Sequence, residues 1–219
     1  MSRSVAHALI EKCQQWHQLF SRYTPVYYSR LSIERPATAA ELERFEAQLK
    51  YEACPQLIAT WQVCGSVHFE WFVKQRAMQA VGIDSRRSPG GRFQLFSPAE
   101  TLKEKSFLLD LGDDNDPLLA GSLPFGKVGE NGELVVINHT ETARYSVDVI
   151  LLDNELNRVR ICDDFEAWLT WRTANYMEDS LLSPDDEATH EVSAVLDSLR
   201  NHEGEWPPPD LRESPFEGG

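Results

Sequence analysis

Six histidines (His7, His17, His68, His139, His190, His202) and four cysteines (Cys13, Cys54, Cys64, Cys162) are the side chains best suited to bind a metal or act as nucleophile and base. They are scattered, with no C-x-x-C pair and none of the tight His/Cys clustering that a zinc site needs. The cysteines sit in apolar contexts, which reads as reduced, buried thiols. Asp110, Asp113, Asp114 and Asp116 make an acidic run, but the twelve-position calcium loop closing on a glutamate is absent. Gly126-Lys127-Val128-Gly129 and Ser88-Pro89-Gly90-Gly91 lack the spacing of a phosphate-cradling loop, and no G-x-S-x-G elbow occurs. The expectation is a non-enzymatic protein with no catalytic residue, metal or cofactor.

Charge is the stronger signal. The chain carries a formal net charge of −14. From Glu178 to Gly219 there are twelve acids against Arg200 and Arg212, which places −10 in the last segment and −4 in residues 1–177. Direct nucleic-acid binding is disfavoured, because phosphate recognition needs concentrated Lys and Arg. A basic partner is favoured, since opposite charge steers encounter. The N-terminus lacks the uninterrupted apolar segment of a signal peptide, and no apolar run nears the roughly 20 residues of a membrane helix. The expected location is the cytoplasm.

The elements that would position a binding surface follow from periodicity. Val5, Leu9, Cys13, Trp16 and Phe20 recur at helical spacing over residues 4–22, and Thr24-Pro25 ends the run. Val26 to Ile33 reads as a short strand. Thr38 and Glu41 stand at capping-box spacing before Leu42, Phe45 and Leu49. Pro55 suits a first helical position, with Leu57, Ile58 and Trp61 inside and Gly65 as a C-terminal stop. Val67, Phe69, Trp71 and Val73 alternate with His68, Glu70 and Phe72, as in a half-buried strand. Residues 74–92 read as a basic, irregular loop. Phe93 to Phe96 is strand-like, and Ser97-Pro98-Ala99-Glu100 opens a helix to about Leu109.

Leu123 to Trp171 is the best-defined stretch. Gly129-Glu130-Asn131-Gly132 signals a tight hairpin, and Leu134 to Ile137 is a continuous apolar run suited to a strand covered on both faces. Val147 to Leu152 and Arg158 to Ile161 flank a second turn at Asp153-Asn154-Glu155. Asp163 and Glu166 are spaced as a capping box for a helix whose inner face is Phe165, Trp168 and Leu169, continuing to about Met177. Ser183 to Asp186 would cap a last helix with Val192, Val195, Leu196 and Leu199 as its stripe. Trp206-Pro207-Pro208-Pro209 and the acidic end suggest disorder, with Trp206 available for docking.

The order of these segments resembles the SUKH superfamily, which includes bacterial toxin-immunity proteins and the yeast regulator of cell-wall glucan synthesis. The resemblance rests on Thr38 to Glu46, Cys54-Pro55-Gln56-Leu57-Ile58-Ala59-Thr60-Trp61, Phe96 to Glu100, Leu123-Pro124-Phe125-Gly126 with the hairpin after it, Val147 to Leu151, and Phe165-Glu166-Ala167-Trp168-Leu169. It covers about residues 36–172. Cys54 stands where the family has Leu before Pro, Cys64-Gly65-Ser66 replaces an Asn-Gly-Gly-like turn, and the 74–92 segment is long. The resemblance implies an α+β fold, with a mostly antiparallel, twisted sheet and packed helices. Hairpins in place of alternating βαβ units point the same way.

The domain reading is an N-terminal helix and linker (1–35), a SUKH-like domain (36–177) and an acidic tail with one short helix (178–219). The functional expectation is an immunity-type protein that neutralises a cognate, basic toxin stoichiometrically through Asp113, Asp114, Asp116, Glu130, Asp153 and Glu155. The alternative is a regulatory scaffold whose acidic tail recruits a partner.

Overall fold

A computed structural model describes residues 2–49, 53–80, 82, 88–111, 121–129, 132–139, 147–152, 157–162, 164–182 and 184–202. Seven strands, β1 (Tyr27–Ile33), β2 (Val67–Val73), β3 (Gly90–Leu95), β4 (Ser122–Val128), β5 (Glu133–His139), β6 (Val147–Leu152) and β7 (Arg158–Cys162), form one sheet in chain order. Every neighbouring pair is antiparallel. The described helices are α1 (Ser2–Arg22), α2 (Ala39–Glu46), α3 (Pro55–Trp61), α4 (Gln75–Ala80), α5 (Pro98–Leu111), α6 (Phe165–Ala174) and α7 (His190–His202). This is the α+β architecture that the hairpin pattern demands.

Strand alternation decides what each face does. Val67, Phe69, Trp71 and Val73 point to the main core, while His68, Glu70 and Phe72 point to the other face. The main core receives Leu9, Cys13 and Phe20 of α1, Leu57 and Trp61 of α3, Phe165, Trp168 and Leu169 of α6, and Val192, Val195, Leu196 and Leu199 of α7. Residues from the start, middle and end of the chain therefore share one core. Phe20 stacks on Trp71 with centroids 4.9 Å apart, and Phe165 meets Phe125 edge-on at 5.0 Å. On the opposite face Leu108 of α5 packs with Val136, Ile150 and Leu152. Val135 and Ile137 go to the first core and Val136 to the second, which is why the Leu134 to Ile137 run is apolar throughout.

Buried tryptophans tie irregular chain to this frame. The Trp61, Trp71 and Trp168 indole N–H groups donate to the carbonyls of Phe96 (2.7 Å), Tyr176 (2.7 Å) and Leu182 (3.0 Å). Each indole thereby satisfies its own donor and one carbonyl outside regular structure.

Several local expectations are corrected. Within 74–92, Gln75–Ala80 is helical with Ala77 and Met78 buried, and β3 already starts at Gly90. Gly65 is no left-handed helix stop; a Cβ there would lie 2.4 Å from the Arg35 carbonyl oxygen, so the position needs glycine for close approach. The N-cap of α6 is Asp164, whose carboxylate accepts the Ala167 N–H at 2.6 Å; Asp163 lies outside the described residues. With Asp164 as the cap, Glu166 falls one position short of a capping box. Helix α6 stops at Ala174, not Met177, because Tyr176 and Met177 take φ of 57° and 58°. Helix α7 begins at His190, after Thr189, whose Oγ1 accepts the Val192 N–H at 3.4 Å.

The turn after α6 is built around Arg172. This side chain is 0% exposed, and its guanidinium donates to the carbonyls of Met177 (2.9 Å), Glu178 (2.5 Å) and Leu181. The wrapped segment then does the work of a strand. Strand β3 pairs with β4 only from Phe93 to Leu95. Beside the first half of β3, Glu178 bridges Gly91 and the Asp179 N–H donates to the Gly90 carbonyl at 2.7 Å.

Candidate functional site

The six acids expected to contact a partner, Asp113, Asp114, Asp116, Glu130, Asp153 and Glu155, all lie outside the described residues, as does the 203–219 tail. Their flanking strands are described. In the meander, β4–β5 and β6–β7 are joined at the same end of the sheet, and the sequence places Glu130 in the first joining segment and Asp153 and Glu155 in the second. Gly129 and Gly132 frame the first segment with φ of 73° and 71°. Adjacent hairpins of one sheet repeat every two strands, about 10 Å apart. Asp113, Asp114 and Asp116 belong to the segment between α5 and β4.

Among the described residues, the half of the sheet face left uncovered by α5 carries half-buried to exposed side chains. Helix α5 covers β4 to β6; β1 to β3 present three cross-strand rows. In the first, Tyr28 stacks on Phe72 with centroids 4.7 Å apart. In the second, Arg30 stands opposite Glu70, and the Glu70 carboxylate is held by Arg92 Nε at 2.9 Å. The third is Ser32, His68 and Gln94, continued to Lys127, which pairs with Glu104 of α5 at 3.4 Å. Gly90 ends the first row because a Cβ there would lie 2.8 Å from the Phe72 Cβ. An aromatic pair, a charged row and a polar row suit contact with a mixed surface.

A cleft of about 610 Å³ opens at the α2–α5 junction. Two capping boxes shape it. The Glu41 carboxylate accepts the Thr38 N–H at 2.7 Å, and the Glu100 carboxylate accepts the Ser97 N–H at 2.7 Å. Glu41 also takes a two-point contact from Arg35, at 2.7 and 2.9 Å. Those bonds, with the Arg35 charge, hold the Glu41 carboxyl well below the usual carboxylate range. Ala37, Phe45, Pro98 and Leu102 supply apolar lining, while Arg44 and Gln48 supply polar groups. The arrangement can seat an apolar side chain beside a hydrogen-bonding rim.

Among the described residues, no three His, Cys, Asp or Glu side chains gather to hold a metal ion. Cys13 and His17, one turn apart on α1, are separated in role: Cys13 is fully buried, and His17 Nδ1 meets Ser29 Oγ at 3.0 Å. Burial pushes the Cys64 thiol up to about 12 and raises Cys13 and Cys54 as well, so these thiols stay protonated and inert. None of the four cysteines is in a disulfide. Among the described residues, no helix is long and apolar enough to cross a membrane.

Two groups were missed by reasoning from the sequence. Arg172 lies four residues after Trp168 and seven after Phe165, on the buried stripe of α6, and that phase is the available signal. Asp179 accepts the backbone N–H of Arg92 at 2.7 Å, a contact across 87 residues that no local pattern reveals. Burial raises its carboxyl to about 7, against the opposing pull of the Arg92 N–H and the Arg172 charge.

No protein-family model matches the chain, and no curated protein matches its sequence.

Proposed function

We propose that the chain is an immunity-type binding protein that caps a basic toxin in a one-to-one complex. The supporting observation is the meander itself. It joins β4–β5 and β6–β7 at one end of the sheet, where the sequence supplies Glu130, Asp153 and Glu155. In a chain of net charge −14, acids grouped on neighbouring hairpins suit a cationic groove, because complementary potential steers docking and suppresses wrong partners. Asp113, Asp114 and Asp116 precede Ser122, where β4 starts, at the opposite end of that strand from its hairpin, so the hairpin group is Glu130, Asp153 and Glu155. The segment order that resembles SUKH immunity proteins supports the same reading.

The test is neutralisation. A protein captured from the native host by the full chain is expressed alone and then with this chain; the reading requires toxicity alone and rescue in combination. Charge reversal at Glu130, Asp153 and Glu155 should abolish rescue, and a captured protein that is harmless alone rules the reading out. The scaffold alternative is separated by truncation after His202. Leu199 and the rest of the α7 stripe belong to the core, so the truncation point is set after that helix. A scaffold loses its partner on that truncation, whereas an immunity protein keeps its toxin.

A further inference from the structure

We propose that β1 is a self-association edge: a second copy of this chain adds its own β1 antiparallel to the first, extending the sheet across a two-fold axis at Leu31. The hydrogen-bond parity of β1 carries the argument. Lys74 N–H donates to the Val26 carbonyl and Glu34 N–H to the Ser66 carbonyl, so even-numbered residues face β2 in the β1–β2 register. The backbone groups of Ser29, Leu31 and Ile33 therefore point away from β2, and no described strand lies on that side. The Tyr27 N–H already donates to Tyr23 at 2.8 Å and is not part of this ladder.

The two edges of the sheet are treated differently. Strand β7 is five residues long, its pairing with β6 carries a register shift between Val149 and Ile150, and it holds Arg158 and Arg160. Short length, irregularity and positive charge are devices that protect an edge. Strand β1 is seven residues long, pairs without a register shift, contains no proline, and has one charge, Arg30.

Arg30 selects the register. Centring the two-fold on Arg30 would set like charges opposite each other, which is destabilising. Centring it on Leu31 pairs Leu31 with itself and Ser29 with Ile33 of the second copy. Each of these residues then donates its outward N–H and accepts at its outward carbonyl. On the open face Arg30 falls opposite Ser32 of the second copy and one diagonal step from its Glu34, within reach of an ion pair. Both Arg30 and Glu34 are exposed and available for it. The half-buried Leu31 side chains meet on the core face, where Leu31 already packs against the main core. A single strand junction is smaller than a standard stable interface, so association in the micromolar range follows.

The test is sedimentation equilibrium of the full chain. The parent should form a reversible dimer. Leu31→Pro removes an outward N–H and leaves the β2 ladder intact, so it should weaken association by at least about tenfold. Arg30→Glu and Glu34→Arg should each weaken it, and the double variant should restore it. The charge series decides the matter if near-UV circular dichroism shows Leu31→Pro to be unfolded. A parent that stays monomeric, variants that associate like the parent, or a double variant that fails to recover overturns the proposal.

Discussion

The Asp179 carboxylate accepts the backbone N–H of Arg92 at 2.7 Å, and the Asp179 N–H donates to the carbonyl of Gly90 at 2.7 Å. One residue thus closes both sides of a backbone patch that β4 leaves unpaired. The same segment is held from below by Arg172, so a buried cation and a half-buried acid fasten the turn after α6 to the sheet.

That fastening makes stability depend on pH. The folded Asp179 carboxyl sits at about 7, above the usual aspartate value near 3.9 in an unfolded chain. The folded state therefore binds this proton more tightly. The stabilisation from Asp179 is fully present below about pH 4 and is lost as pH rises through 7. Because Asp179 is half-buried and relaxation absorbs part of the shift, a loss on the order of 1–2 kcal/mol is expected. Asp179→Asn keeps an oxygen for the Arg92 N–H and cannot ionise. Denaturant midpoints from pH 5 to pH 8 should fall less in the Asn variant; an unchanged slope removes Asp179 as the cause.

Arg172 should tolerate little. Its guanidinium satisfies the carbonyls of Met177, Glu178 and Leu181 at once, and the turn it braces holds Tyr176 and Met177 at positive φ. Non-glycine residues in that region cost on the order of 1 kcal/mol each and persist only when the surroundings enforce them. Arg172→Met fills a similar volume but orphans the carbonyls, with an expected loss of about 3 kcal/mol or more in urea unfolding. Arg172→Lys should recover less than half of that loss, since one ammonium cannot reproduce the planar fork.

What could be read from the chain, and what could not, divides by sequence distance. Thr38–Glu41 and Ser97–Glu100 are local patterns, and both capping boxes form. The alternation of Val67 to Val73 and the stripe of α7 are likewise local and appear as buried faces. Asp163 and Asp164 show where local pattern fails, because either acid could cap α6 and burial of Phe165 fixes the phase. Gly90-Gly91 read as loop because glycine frequency signals flexibility. In the fold these glycines are demanded by contacts from Phe72 and Met177, which are distant in sequence. Of the candidate surface, the acids could be named from charge alone, whereas the Tyr28–Phe72 and Glu70–Arg92 pairs required the strand register.

The caps offer a calibrated comparison. Ser97 Oγ accepts the Glu100 N–H at 3.3 Å, and Thr38 Oγ1 accepts the Glu41 N–H at the same distance. Replacing either by Ala should cost about 1 kcal/mol. Among the described residues, α5 is the helix that reaches the second core, through Leu108, so Ser97→Ala should also speed amide exchange in β5 and β6. Thr38→Ala should leave those strands unchanged; equal exchange in both variants would show that α5 does not secure that face.

Gly91 gives the sharpest steric test of how the turn after α6 is seated. A Cβ at this position would lie 2.5 Å from the Met177 carbonyl oxygen and 2.6 Å from Trp71 Nε1. The first neighbour is backbone and the second is an indole already donating to Tyr176, so neither can move without breaking the seat. Gly91→Ala should therefore cost about 2–4 kcal/mol and red-shift the Trp71 emission as the indole loses its acceptor and gains water. Gly82→Ala is the control. Gly82 has φ of 78° but open space around its Cβ position, so only backbone strain of about 1 kcal/mol is added and the tryptophan spectrum should not change. If the two alanines prove equally mild, the 175–182 segment does not rest on β3, and the pH dependence assigned to Asp179 loses its structural basis as well.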